Sequence, residues 1–288
     1  MSDLLTVLDY DFMRRALLAA ALVGVAAPLV GTFLVQRGLS LVGDGLGHVA
    51  LAGVAAGVLT GTAPRWTALV AAVGAALLVE AVRTRGRTGG DVALAVVFYG
   101  GIAGGVVLMS LAPAGTTTNL EGYLFGAITT TSPGDVRVFA VLAAVLLVVV
   151  TVLRPWLFAV AVDEEHARAA GLPTRALTSA LAVLTAVTVV LSMRTVGLLL
   201  ISALMVLPVA AAQRVCRSFG PVVVAGSAVG LVASVGGVTV SAAAGTPSGG
   251  TIVLLALAAF ALAVLVGGLR RRGLSRSWAG TATRGARP

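Results

Sequence analysis

Lysine is absent from this 288-residue chain, and all 20 of its basic residues are arginine. That absence excludes a phosphate-binding loop of the G-x-x-x-x-G-K-[ST] kind, whose lysine reaches the β- and γ-phosphates. If ATP drives this protein, a separate chain hydrolyses it. Cysteine occurs once, at Cys216, so no internal disulfide and no two-thiol zinc site can form, and a packing role is left for it. Histidine occurs twice, at His48 and His166, with no H-E-x-x-H run, which argues against an intramembrane zinc protease. Aromatic residues make up 5% of the chain and do not interleave with the arginines. The formal net charge of +9 therefore describes no surface on which bases stack, and no nucleic-acid partner is expected. Charged residues of both signs together reach only 11%, well below what a soluble domain carries.

Hydrophobic residues fill the space, at 58% of the chain, with a mean hydropathy of +1.05. Several charge-free runs exceed eighteen residues, enough to cross roughly 30 Å of hydrocarbon as helix, and no alternating ten-residue segments suggest a barrel. The expected fold is all-α: a polytopic transmembrane helical bundle of eight or nine spans. Candidate spans are approximately 14–35, 39–60, 64–82, 91–111, 134–153, 174–193, 196–213, 219–241 and 250–268. Eight would remain if one pair is re-entrant. Asp3, Asp9 and Asp11 make the N-terminus acidic, and Arg14 and Arg15 precede about twenty apolar residues, too long for a cleaved signal core; the first helix is retained. No internal repeat is evident. The chain divides into one membrane domain, residues 1–269, and a disordered Arg-rich cytoplasmic tail, residues 270–288, beside anionic headgroups.

Arginine placement sets the orientation. With residues 154–173 in the cytoplasm, Arg37, Arg83, Arg85, Arg87, Arg154, Arg168, Arg175, Arg214, Arg217 and six tail arginines, fifteen in all, lie on that side. Five lie outside: Arg14, Arg15, Arg65, Arg137 and Arg194. The excess follows the positive-inside rule. Nine spans put Arg14 and Arg15 on the disfavoured side, which a re-entrant pair would reverse, so the sequence leaves the parity open.

The run LSLVGDGLGHVALAGVAAGVL, residues 39–59, carries Asp44 and His48 inside an apolar stretch. Positions i and i+4 share one face of a helix. Carboxylate and imidazole together suit a divalent transition metal such as zinc, manganese or iron, and ionisable groups within a membrane normally face a cavity or a partner. The plainer alternative is a hydrogen bond between the two that braces helices. Gly43 and Gly47, and likewise Gly53 and Gly57, are four apart, a spacing that lets helices approach closely. Glu80 and Arg83 read as a helix-end pair, and Asp91 and Asp135 as helix caps. In VAVDEEHARAAGLP, residues 160–173, an Asp cap, two glutamates in the first turn and the Gly171/Pro173 stop mark a short cytoplasmic helix with His166 in solvent.

Taken together, the blocks FLVQRGLSLVGDGLGHVALAGVA (33–55), GDVALAVVFYGGIAGGVVLMS (90–110), NLEGYLFGAITTTSPGDV (119–136), VDEEHARAAGLP (162–173), TVGLLLISALMVLPVAAA (195–212) and GTPSGG (245–250) resemble, in order and over nearly the whole chain, the membrane permease of metal-ion ABC importers. The resemblance implies a permease dimer, of two identical copies or of close paralogues, in the bacterial inner cell membrane. It would be bound to two cytoplasmic ATP-binding subunits and served by an extracytoplasmic metal-binding protein. No cofactor would sit in this chain; the ion is cargo and ATP belongs to the partner subunit. Asp44 and His48 match the family's Asp-x-x-x-His pattern and would meet the ion in transit. Residues 163–171 match the helix that docks on the ATPase, which makes Asp163, Glu164, Glu165 and Gly171 coupling candidates. Pro208 matches a proline where a missing backbone hydrogen bond allows a bend. The glycines of GDGLGH depart from the Ala or Ser common there. Two other functions stay in view: an ion-gradient-driven transporter using Asp44/His48 as a proton relay, and an intramembrane hydrolase, for which no nucleophile is in place.

Overall fold

The computed structural model describes residues 10–84, 90–111, 120–126 and 128–282. Apolar runs without water partners must satisfy their backbone internally, and the chain does so with helices throughout. They are α1 (Asp11–Gln36), α2 (Val42–Leu59), α3 (Pro64–Thr84), α4 (Gly90–Ser110), the short α5 (Leu120–Phe125), α6 (Pro133–Val162), the short α7 (Glu164–Ala169), α8 (Thr174–Val196), α9 (Leu198–Val215), α10 (Phe219–Ala244) and α11 (Ser248–Ala282). Among the described residues, nine of these are long and apolar enough to cross a membrane, all but α5 and α7.

Nine successive spans put the start of α1, with Arg14 and Arg15, and the membrane end of α11 at Leu269 on opposite faces. The ends of the bundle are fixed by ion pairs. Arg37 after α1, Glu80 and Arg83 near the end of α3, and Glu164 of α7 meet at one face. Arg65 at the start of α3 meets Asp135 at the start of α6, 3.4 Å apart, at the other. Read by the arginine excess, the first is the cytoplasmic face.

Helix α1 forms the centre. Its most apolar window is 72% buried, against 11% for α4 and α11, which present their outer faces to lipid or to another chain. Small residues bring the backbones together: a Cβ on Gly24 of α1 would lie 2.7 Å from the Gly230 carbonyl of α10. Three buried threonine hydroxyls return to their own helix. Thr32 donates to the Pro28 carbonyl at 2.8 Å, and Thr185 and Thr188 to the Leu181 and Leu184 carbonyls at 2.7 Å, removing a polar group from the hydrocarbon. Cys216 ends α9 and packs beside Val209, Ala212 and Val222, the packing role expected of it.

Several boundaries differ from expectation. Helix α6 continues nine residues past its predicted end, through Arg154 and Pro155 to Val162. The Arg154 guanidinium reaches Gly220 at the start of α10, so the charge leaves the apolar layer along a neighbouring helix end rather than stopping the helix. Helix α11 likewise runs on to Ala282, so residues 270–282, expected to be disordered, have helical backbone. Arginine, leucine and alanine favour helix and no proline interrupts this stretch. The membrane part of α11 still ends at Leu269. Residues 283–288, with Arg284 and Arg287, and the expected cytoplasmic Arg85 and Arg87 lie outside the described residues, as do Asp3, Asp9 and the side chain of Asp91. Pro208 is buried within α9, which continues unbroken around it.

Candidate functional site

Helix α2 lies between α3, α4, α8 and α9, and its glycines set how closely they approach. Gly43 and Gly47 face Met205 and Leu198 of α9, whereas a Cβ on Gly53 would lie 2.7 Å from the Ala68 Cα of α3. The two glycine pairs thus serve two neighbours, and the packing role read from their spacing is what the structure contains. On the α4 side, a Cβ on Gly101 would stand 3.0 Å from the His48 carbonyl carbon. His48 is held there with its ring edge-on to Phe98 of α4, centroids 5.0 Å apart. It lines a cavity of about 190 Å³ together with Leu51, Gly101, Ile102, Gly105, Val106 and Leu124. The imidazole is the polar group of an otherwise apolar wall.

Asp44, one turn earlier on the same face, has its Oδ2 3.9 Å from His48 Nε2. That is beyond hydrogen-bond reach, so the bracing bond offered by the plainer reading is not made. The side chains keep 25% and 19% of their surface open although α2 is a span. A partly open carboxylate within a membrane needs water or another polar group opposite. Two donors, one oxygen and one nitrogen, are half of a tetrahedral set. Among the described residues no group of three or more His, Cys, Asp or Glu gathers in one place.

The cytoplasmic end holds a second arrangement, more tightly closed. Arg83 Nη2 donates to Glu80 Oε1 at 2.8 Å and its Nε to Oε2 at 3.2 Å, the two-bond geometry in which arginine pairs best. The same Nη2 donates to Glu164 Oε2 at 2.7 Å, and Arg37 Nη2 donates to that oxygen at 3.1 Å. Arg37 also stands 3.8 Å from Glu80, and Arg168 donates to Glu164 Oε1 at 3.1 Å. Arg37 and Glu80 are nearly closed off, at 7% and 8% side-chain exposure. Burial lowers the Arg37 pKa from its ordinary value, Arg83 adds to this, and Glu80 and Glu164 oppose it; the guanidinium stays charged.

The expected coupling residues therefore divide. Asp163 is the N-cap of α7 and accepts from the His166 amide at 2.9 Å. Gly171, at φ +83°, supplies the left-handed turn that ends the segment. Glu165 and His166 are exposed, as Ala169 is, and Ala167 is buried against the bundle. Glu164 instead turns inward to Arg37 and Arg83. The sequence paired Glu80 with Arg83 through their spacing, but the Arg37–Glu164 contact joins positions 127 apart, which no local pattern reveals. Asp135 is the third helical residue of a capping box whose cap is Ser132. The segment holding α5 and Ile128 falls in the 119–136 block and lies between α4 and α6. It packs on the buried Val196–Gly197 junction of α8 and α9, where Gly126 touches the Val196 carbonyl.

A nine-span helical bundle with one ionisable pair left open on a central span is a multi-pass membrane protein of the transporter class. The chain belongs to the ABC 3 transport family, whose model matches residues 9–267. It is 30% identical over 274 residues to the manganese transport system membrane protein MntC of Halalkalibacterium halodurans, spanning 95% of this chain and 93% of that one. It is 31% identical over 256 residues to the chelated iron transport system membrane protein YfeD of Yersinia pestis, spanning 89% and 86%. Among solved structures it superposes on PsaBC from Streptococcus pneumoniae in complex with Fab, with a TM-score of 0.80 and 28% identity over 91% of this chain and 94% of that one.

Proposed function

We propose that this chain is the permease subunit of an ATP-driven importer of divalent transition-metal ions, with manganese and iron foremost and zinc also within reach of the donor set. The observation that carries the reading is the Asp44/His48 pair: one helix face, 3.9 Å apart, unbonded to each other, and partly open inside a span. Two copies facing one axis would offer two carboxylates and two imidazoles, enough to replace part of an ion's hydration shell. Four loosely held donors suit passage better than a closed cage, which would trap the ion. A second copy would also cover the peripheral surface of α4, with Val96 and Tyr99 more than two-thirds exposed, and supply the polar surroundings that a half-open Asp44 needs. Manganese and chelated-iron systems among the relatives support this cargo class. Membership of the ABC 3 transport family favours ATP over an ion gradient as the energy source. Hydrolysis would occur on a cytoplasmic partner docked at the exposed side of α7, around Glu165, and a metal-binding protein would deliver the ion at the Arg65/Asp135 face in the bacterial cell membrane.

The test is uptake of manganese, iron(II) and zinc by the complete complex in proteoliposomes. Asp44→Ala and His48→Ala each lower uptake by about a hundredfold or more, on the scale of losing metal-binding groups, while the ATPase still copurifies. Unchanged uptake of all three ions would remove the assignment.

A further inference from the structure

Glu164 departs from the rest of α7. Glu165 and His166 are exposed and Arg168 reaches Glu164 from the solvent side, while Glu164 also accepts from Arg83 at 2.7 Å and from Arg37 at 3.1 Å. Arg37 is no ordinary member of a helix: it lies in the link of residues 37–41 that joins α1 to α2, seven positions before Asp44. It is 7% exposed and cannot swing into solvent without breaking its contacts to both Glu80 and Glu164. Arg83 sits on the last turn of α3, which packs along the other side of α2. Both arginines that hold Glu164 thus belong to the immediate supports of the helix that carries Asp44 and His48.

Apolar contacts join α7 to the bundle as well, through Ala167, but they are non-directional and tolerate sliding. A carboxylate shared by two guanidiniums, each of which also faces Glu80, has fixed direction and is costly to separate in a partly dry place. Besides its direct connections to α6 and α8, α7 therefore has a directional route for a push or pull to the α1–α2 link and to the end of α3. We propose that Glu164 is a positioning residue, the joint through which movement of α7 reaches the end of α2 that holds Asp44, by way of Arg37 and Arg83. This rests on the reading of α7 as the ATPase-docking helix. It divides that helix into an outward docking side and one inward transmitting residue.

The experiment compares Glu164→Gln and Glu165→Lys in the complete permease–ATPase complex in proteoliposomes. It measures ATPase copurification, ATP hydrolysis, and manganese(II) ions taken up per ATP hydrolysed. Glu164→Gln keeps the partner bound and hydrolysis within about twofold of the unaltered complex, but lowers ions per ATP by about tenfold, within the usual span of coupling between sites. Glu165→Lys shows the opposite pattern, losing partner while the ions-per-ATP ratio of the remaining complex is kept. Loss of the ATPase from Glu164→Gln would overturn the proposal by making Glu164 a docking residue, and an unchanged ratio would overturn it by leaving Glu164 no part in transmission. If Glu164→Gln does not accumulate in the membrane, Glu164→Asp takes its place; it keeps the charge but shortens the reach, and an intermediate ratio is expected, whereas a ratio equal to the unaltered complex overturns the joint. Failure of the underlying reading looks different, because the unaltered permease would then bind no ATPase at all.

Discussion

Asp44 and Arg37 are seven residues apart, yet the two groups of charge they belong to are built on opposite terms. At the cytoplasmic end, Arg37, Glu80, Arg83 and Glu164 satisfy one another at 2.7–3.8 Å, with Arg37 and Glu80 all but closed to solvent. Inside the span, Asp44 and His48 stand 3.9 Å apart and about a fifth to a quarter open. Completed charge groups resist movement and hold helices in register; an incomplete pair is free to accept something from outside. The difference is open to direct attack. Glu80→Gln keeps the shape of the side chain but leaves Arg37 and Arg83 short of a buried counter-charge, and such a loss costs about 3–5 kcal/mol. A large fall in the thermal midpoint of the detergent-solubilised protein is expected. Asp44→Asn and His48→Gln stop uptake, yet change stability by less than about 1 kcal/mol, since neither removes a bond that the fold uses. Equal destabilisation by Glu80→Gln and Asp44→Asn would erase the distinction.

A smaller effect tests whether α2 must sit where it does. A Cβ at Gly53 would press on the Ala68 Cα and the Thr67 carbonyl of α3 at 2.7 and 2.8 Å, atoms of backbone that cannot rotate away. Gly53→Val overpacks this crossing by about 1–3 kcal/mol and lowers the midpoint without touching either charge group. Because α2 is pushed from α3, uptake falls along with stability, unlike the Asp44 and His48 variants, in which uptake falls alone.

The same contrast explains what the sequence disclosed. Its long apolar runs located all nine spans within a few residues at most ends, because hydrocarbon leaves the backbone no alternative to helix. The i, i+4 spacing put Asp44 and His48 on one face, and the Asp cap and glycine stop delimited α7, since caps and turns are local chemistry. Parity was not legible. It depends on which ends meet, and the Arg65–Asp135 and Arg37–Glu164 contacts that place the ends of α1, α3, α6 and α7 join distant positions. The inward turn of Glu164 was hidden for the same reason: the two glutamates after the Asp163 cap read as equivalent acids until the fold places two arginines against the first of them. The run-on of α6 past Arg154 escaped notice because a charged residue followed by proline usually signals an end, and here Gly220 leaves room for the guanidinium.

The weakest contact in the cytoplasmic group gives the finest test of the comparison. Arg168 donates to Glu164 Oε1 at 3.1 Å, but its side chain is 56% exposed, and the opposite carboxylate oxygen already accepts from Arg37 and Arg83. Water can replace it, and salt screens it, so an exposed pair of this kind contributes at most about 1 kcal/mol. Arg168→Ala should leave the thermal midpoint nearly unchanged and should reduce the modest salt dependence of the midpoint between low and physiological ionic strength, the exposed Arg65–Asp135 pair keeping the remainder. Glu80→Gln should stay destabilised at every salt concentration, because the charges it strands are shut away from the ions. If Arg168→Ala destabilised the protein as much as Glu80→Gln does, the group would be held from its solvent side, and the buried contacts of Arg37 and Arg83 would be its consequence rather than its support.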